Sequence, residues 1–333
     1  MGALQKDAAP RAVLITGAGG YVGRLLTRAL ATDRRRLERI VAADVRPVPE
    51  AERLPGVEYL VLDVRAPEVA AAVAEHGIDC IVHLASVVTP PRGMSVETQH
   101  AIDVGGTENV LRAAVAHGVR KLIVTSSGAA YGYHADNPPL LGEETPLRGN
   151  DEFAYARHKR LVEELLARYR KDHPELVQLV FRVGTILGAG TSNQITALFE
   201  KRVVVGLAGA ATPFNFVWDG DVVGCLCEGV HGAASGIYNL IGDGVLTLRE
   251  IAALCHKPYL PVPSAVMRVA LGLLHRVGAT QYGPEQVAFL RYRPVMWNER
   301  LKRELGYKLQ KTSREAFDVY RAGAAARAGQ RAR

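Results

Sequence analysis

The chain has 333 residues, 48% of them hydrophobic and 23% charged, with a formal net charge of +7. This length accommodates one large α/β domain or one domain with a smaller lobe, and the composition excludes a disordered or fibrous chain. The basic excess gathers in Arg34-Arg35-Arg36 and in Arg321, Arg327, Arg331 and Arg333 without interleaved aromatics, so nucleic acid is not an expected partner.

The first ten residues are not expected to form a signal peptide. Val13, Leu14 and Ile15 then make a short apolar run, as in a parallel strand covered on both faces. Gly17, Gly20 and Gly23 follow with the spacing G-x-x-G-x-x-G. Such glycines let the backbone turn tightly and approach a pyrophosphate. The helix from about Tyr21 to Ala31 points its first N–H groups, at Tyr21 and Val22, toward that pyrophosphate. Val41 to Asp44 reads as a second strand. Asp44 lies about 20 residues past the glycines, where a dinucleotide fold places the carboxylate that accepts from ribose hydroxyls. A carboxylate there repels a 2′-phosphate and favours NAD, a preference that the neighbouring Arg46 weakens.

Further strands are expected at Val57–Leu62, Ile78–Leu84, Leu122–Thr125 and Val177–Phe181. Helices are expected at Pro67–His76, Gly105–Gly118 and Phe153–Arg170. This alternation implies an α/β fold, a Rossmann-type doubly wound parallel sheet. Its expected extent is residues 12–185, with a return segment at about 216–240. A smaller mixed C-terminal substrate lobe is expected from 186–215 and 245–310, and flexible ends from 1–11 and 321–333. Ser264 to Ala279 is the most apolar stretch, but it is too short and too charged to span a bilayer. Cys80, Cys225, Cys227 and Cys255 form no C-x-x-C pair, so reduced thiols in a cytoplasmic protein are expected. The histidines form no ligand set, and no metal is expected.

The helix near Phe153 carries Tyr155 and Lys159, which share a face at i and i+4. An ammonium beside a phenol favours the phenolate and lowers a pKa that is ordinarily about 10. The phenol then works as a proton donor and acceptor near neutral pH. Ser127, at the end of the fifth strand, is placed to bond the same substrate oxygen. Ser127, Tyr155 and Lys159 are the candidate catalytic residues. Tyr155 and Lys159 also count on the cofactor side.

In chain order, these features make the sequence resemble the extended short-chain dehydrogenase/reductases, the NAD-dependent epimerase/dehydratase superfamily. The resemblance spans about 12 to 320. It rests on Thr16-Gly17-x-x-Gly20-x-x-Gly23, Asp44, Asp63-Val64, Val82-His83-Leu84-Ala85-Ser86, Gly106-Thr107, Ser126-Ser127 with Tyr131-Gly132, and Tyr155-x-x-x-Lys159. Arg182 with Gly184 and Gly188, Phe216-Val217 with Asp221, Tyr238-Asn239 and Leu305-Gly306-Tyr307 extend it. The resemblance implies NAD as cofactor. Asp63 and Val64 flank the adenine, Leu84, Ala85 and Ser86 line the nicotinamide ribose, and Lys159 also holds that ribose. Val183 stands where the family has proline, beside the nicotinamide amide. Thr125 is implied on the cofactor side. Thr89, Ser127, Gly128, Gly184 and Thr185 are implied for the substrate. His83 reads as a strand residue near the cofactor, and Asp103 stands where relatives carry asparagine. A homodimer through helices near 95–118 and 153–170 is also implied.

Within that superfamily, Gly128-Ala129 after Ser127 disfavours dehydration, which uses an acidic pair there. Sugar-nucleotide epimerases carry an asparagine after the sixth strand and an arginine just before the stretch equivalent to Phe216-Val217. Here the runs are Arg182-Val183-Gly184-Thr185 and Ala211-Thr212-Pro213-Phe214-Asn215. Arg291 and Arg293 read as candidate clamps for a diphosphate or as solvated surface residues. The run from Leu260 to Gly278 reads as an apolar pocket wall or as a packing helix. The expected activity is a dehydrogenase or reductase acting on a secondary alcohol or ketone of a fairly apolar small molecule. A nucleotide-sugar 4-epimerase and a non-catalytic NAD-binding protein are the alternatives.

Overall fold

The structure, a computed structural model, describes residues 10–91, 93–278, 280 and 283–331. Strand β1 (Ala12–Thr16) is buried at every position and runs into the glycine turn, which opens α1 (Tyr21–Thr32). Then come β2 (Arg39–Asp44), β3 (Glu58–Val61), α2 (Glu68–Glu75), β4 (Cys80–His83), α3 (Val96–His100), α4 (Gly106–Ala116), β5 (Lys121–Ser127), α5 (Ala154–Asp172) and β6 (Val177–Val183). The second half is more broken: β7 (Thr185–Leu187), α6 (Gln194–Glu200), β8 (Val204–Leu207), β9 (Pro213–Phe214), β10 (Phe216–Trp218), α7 (Asp219–His231) and β11 (Gly236–Leu240). It ends with β12 (Leu246–Thr247), α8 (Leu248–Leu254), β13 (Tyr259–Val262), α9 (Ser264–Arg276), α10 (Gln286–Arg291) and α11 (Ser313–Arg331).

Seven strands form one sheet in the order β11-β6-β5-β4-β1-β2-β3. The pairs from β3 to β5 are all parallel, and Thr16 lies in register with both Ala43 and His83. The order reverses at β1, so the chain diverges on either side of the β1 and β4 ends, where open α/β sheets bind ligands.

The chain divides into two compact units. The first comprises residues 1–126, 161–182 and 220–238, and the second comprises 127–160, 183–219 and 239–333. The core of the first is aliphatic. Leu14, Val41, Ile81, Leu122 and Val180 from the strands meet Val69, Val73, Val110, Leu111 and Leu166 from α2, α4 and α5. Full burial of each such side chain contributes about 1.5–3 kcal/mol. A buried ion pair lies in this unit: Arg182 on β6 binds Glu163 on α5 at 2.7 Å, and Ser126 donates to the same carboxylate at 2.5 Å.

The core of the second unit is aromatic. Phe199 meets Phe214, Phe216 and Phe317 edge-on at 5.5, 6.1 and 5.8 Å. A polar knot ties three distant segments of this unit. The Tyr131 hydroxyl lies 2.8 Å from Asn239 Oδ1, and the Asn239 amide donates to the Leu141 and Trp297 carbonyls.

Three expectations change. The segment 127–160 clusters with the second unit and not with the sheet's unit. Residues 321–331, expected to be a flexible end, continue α11, which buries Ala316, Phe317 and Tyr320. Its Ala and Arg residues are good helix formers, and the packed first turns extend through them. The remaining parts of the expected flexible ends, residues 1–9 and 332–333, lie outside the described residues. Finally, α9 contains no fully buried residue: Met267 and Leu271 are half-buried, while most of its large apolar side chains are exposed, so they do not line a closed pocket wall.

Candidate active site

In the first unit, the glycine turn forces itself on the sequence by geometry. Gly17 has φ +71°, and a Cβ there would lie 2.7 Å from the Ala85 nitrogen. A Cβ on Gly23 would run into the Gly17 carbonyl. Gly20 closes the turn by donating to that carbonyl at 3.0 Å. No side chain caps α1, whose first turn holds Tyr21 and Val22. The result is a helix N-terminus with no side-chain cap, behind a backbone kept clear of side chains, which suits a pyrophosphate. Asp44 ends β2 beside this turn. Its carboxylate accepts from Gly19 N at 3.0 Å and from Arg46 N at 3.1 Å. The Arg46 guanidinium stands 3.7 Å away.

The neighbouring residues fit the same ligand. The Ser86 hydroxyl is buried with no partner, next to the Ala85 backbone that packs on Gly17. Orphaned buried hydroxyls are rare, and a ribose hydroxyl would satisfy this one. Leu84 donates its N–H to the Thr16 carbonyl at 3.1 Å, which holds the Leu84–Ser86 segment against β1. Asp63 accepts from Arg65, whose bonds hold it below the usual carboxylate range. Val64 is buried against Gly106, and Thr125 is half-buried on β5. Thr89 is exposed in the loop after β4.

His83 is structural. Thr107 gives its proton to the Asp103 carbonyl at 2.5 Å, so its oxygen accepts from His83 Nε2 at 3.0 Å. Nδ1 lies 2.7 Å from the Thr16 hydroxyl. Asp103 accepts from Val87 N at 2.8 Å, an acceptor role that an asparagine fills equally.

In the second unit, β5 ends at Ser127, whose oxygen accepts from Ala129 N at 3.1 Å. Tyr155 and Lys159 lie one turn apart at the start of α5. Lys159 is buried, with Nζ 5.7 Å from the centroid of the Tyr155 ring. Gly128 and Gly184 leave room for neighbours, since a Cβ would strike Met296 at the first and Ile241 at the second. Val183 is buried, and Gly184 donates to the Leu240 carbonyl at 3.1 Å.

Sequence reasoning missed an aromatic group here. Tyr133 packs edge-on against Phe153 at 5.2 Å and Phe289 at 5.0 Å. Burial pushes the Tyr133 phenol up to about 12, with Arg293 opposing and Tyr155 adding to the rise. The only signal in the sequence was three isolated aromatics, with no shared period. Arg293 is held between Phe214 at 4.0 Å and Phe289 at 4.7 Å. It donates to the Pro213 carbonyl at 3.1 Å and to the Thr185 hydroxyl at 3.4 Å. Its Nη1 is buried without a partner, and burial lowers the group to about 10. Arg291 is exposed and donates to Ser264 at 3.1 Å. No cluster of His, Cys, Asp and Glu able to hold a metal occurs among the described residues.

The chain belongs to the NAD-dependent epimerase/dehydratase family, whose model matches residues 13–218. It is an enzyme family that works with NAD. The chain is 25% identical over 314 residues to the uncharacterized protein Rv0501 of Mycobacterium tuberculosis, covering 93% of this chain and 83% of that one. It is 29% identical over 250 residues to a 3β-hydroxysteroid dehydrogenase/Δ5→4-isomerase of the same organism, covering 70% of this chain and 61% of that one. Among solved structures, MoeE5 in complex with UDP-glucuronic acid and NAD superimposes with a TM-score of 0.73 at 19% identity, over 94% of this chain and 98% of that one. This last likeness bears on the fold alone.

Proposed function

We propose that this protein is an NAD-dependent dehydrogenase or reductase that moves a hydride at a secondary alcohol or ketone carbon of a fairly apolar small molecule. The observation that carries this reading is the setting of Arg293. Its guanidinium lies against the rings of Phe214 and Phe289, and two of its nitrogens are already bonded. Phe214 itself lies in the run where a sugar-nucleotide enzyme needs an arginine. A diphosphate requires several free cations, and a substrate walled by Tyr133, Phe153 and Phe289 does not.

The chemistry follows from the side chains. Bound NAD supplies a hydride acceptor, or as NADH a donor. Tyr155 passes the proton to or from the substrate oxygen. Lys159 favours the phenolate by its charge. Ser127 uses its lone pair for Ala129 N–H and so keeps its own proton for the substrate oxygen. Gly17, Gly20, Tyr21, Val22 and Asp44 would hold the cofactor's pyrophosphate and ribose. Asp63, Val64, Leu84, Ala85, Ser86, Thr125 and Val183 would line the rest. Thr89, Gly128, Gly184 and Thr185 would face the substrate. The assigned setting is cytoplasmic and homodimeric.

One observation favours a nucleotide-sugar 4-epimerase instead: the unpartnered Arg293 Nη1 is a donor for a phosphate oxygen. The test is to denature the purified protein and measure released nucleotide. The dehydrogenase reading expects a largely empty site that takes up NAD reversibly and forms NADH with hydrophobic secondary alcohols. A full complement of bound NAD, with interconversion of nucleotide sugars and no net NADH, would sink it.

A further inference from the structure

Helix α9 half-buries Met267 and Leu271 and turns a second apolar stripe outward. Val266, Val269, Ala270, Leu273, Leu274 and Val277 recur at i, i+3, i+4, i+7, i+8 and i+11, the spacing of a single helix stripe. The large ones among them are 46% to 75% exposed, and Leu260 on the preceding β13 adds another at 52%. In a globular chain, a stripe of this period faces the core. Here it faces away from it.

Charge identifies what the stripe fits. From residue 251 to residue 284 the sequence contains no Asp or Glu, while Lys257, Arg268 and Arg276 are present. Arg268, His275 and Arg276 are exposed on the helix itself. Acid-free, basic and apolar on one side is the composition of a helix that lies in the headgroup layer of an anionic bilayer. The helix is about 20 Å long and, with one face about 10 Å across, offers about 200 Å². A stable protein dimer needs about 800 Å² per partner, so the stripe is too small for a second copy. It is also too short to span a membrane, and no helix of the described residues does so.

We propose that α9 is a reversible membrane-surface anchor, which inserts Val266, Val269, Leu273 and Val277 among the acyl chains of an anionic bilayer with Arg268 and Arg276 at the phosphates. The test is flotation of the full chain with vesicles of phosphatidylcholine alone or with phosphatidylglycerol added. Co-flotation is expected with the anionic vesicles, weakened by high salt. The double substitution Val269→Glu/Leu273→Glu should reduce the bound fraction about tenfold, because it puts carboxylates at the acyl boundary. Arg268→Gln/Arg276→Gln should reduce binding to anionic vesicles only. Both pairs lie at the surface, so NAD titration and melting temperature serve as checks on folding. Absence of flotation, equal flotation with neutral vesicles, or wild-type flotation by the glutamate variant overturns the proposal. A change of oligomeric state caused by Val269→Glu/Leu273→Glu in lipid-free buffer also overturns it, because a second copy then covers the stripe.

Discussion

The Asp44 carboxylate accepts a hydrogen bond from the backbone of Gly19, 3.0 Å away, so the acid at the end of β2 is tied to the turn at the end of β1. One group thereby braces the loop and, in the proposed cofactor site, would accept from the ribose. Asp44→Ala should weaken NAD binding about tenfold or more, as expected for a lost bond to a charged acceptor. It should also relax the preference over NADP, while Asp44→Asn keeps the Gly19 bond and loses mainly the discrimination. Cofactor titrations on both variants decide this. An unchanged NAD-to-NADP ratio in Asp44→Ala would show that the carboxylate is no ribose ligand.

Tyr155→Phe removes only the phenolic oxygen from a half-buried ring. Turnover should fall at least about a hundredfold, the lower range for an acid–base group. NAD affinity should stay within a few-fold, because the glycine turn and Asp44 are untouched. Steady-state rates with an active substrate, set beside NAD titration, make the comparison. Near-normal turnover would remove Tyr155 from the chemistry.

The buried pair of Glu163 and Arg182 makes a prediction about stability alone. Glu163→Gln leaves the guanidinium without its counter-charge in an apolar interior and disturbs the Ser126 bond. The expected loss is about 3–5 kcal/mol, read as a lower urea midpoint at constant slope. A midpoint within error of wild type would mean that water or another group already solvates Arg182.

The cysteines should be quiet. Burial pushes Cys80 up to about 12 and Cys227 up to about 11, and it also raises Cys225 and Cys255. A raised pKa means less thiolate at a given pH, so alkylation at pH 8 should be slow in the native protein. All four should react after denaturation in guanidinium. Fast labelling of the folded chain would show that a described cysteine opens to solvent.

Much of the first unit was legible in the sequence because its signals are local. Val13-Leu14-Ile15 followed by spaced glycines specifies strand, turn and helix within a dozen residues. The acid at Asp44 falls at a fixed distance from them. The pair Tyr155 and Lys159 was visible because one helical turn separates them. What escaped depends on pairings across the chain. Nothing near Tyr133 in sequence announces Phe289, and nothing near Phe214 announces Arg293. The apolar run at α9 misled for a different reason. Periodicity shows that a helix has an apolar face, but it does not say which way that face turns.

The knot of Tyr131, Asn239, Leu141 and Trp297 bears on how the protein is made. Asn239 bonds to carbonyls supplied from both sides of it in sequence, and the latter comes 58 residues later. The first unit is likewise complete only when residue 238 has been added. On the ribosome, the early strands must therefore wait for late ones, with their apolar edges open in the interval. A fragment cut before residue 236 would lack the segment that completes the first unit. Splitting it for expression should be done by circular permutation within a surface loop, not by truncation.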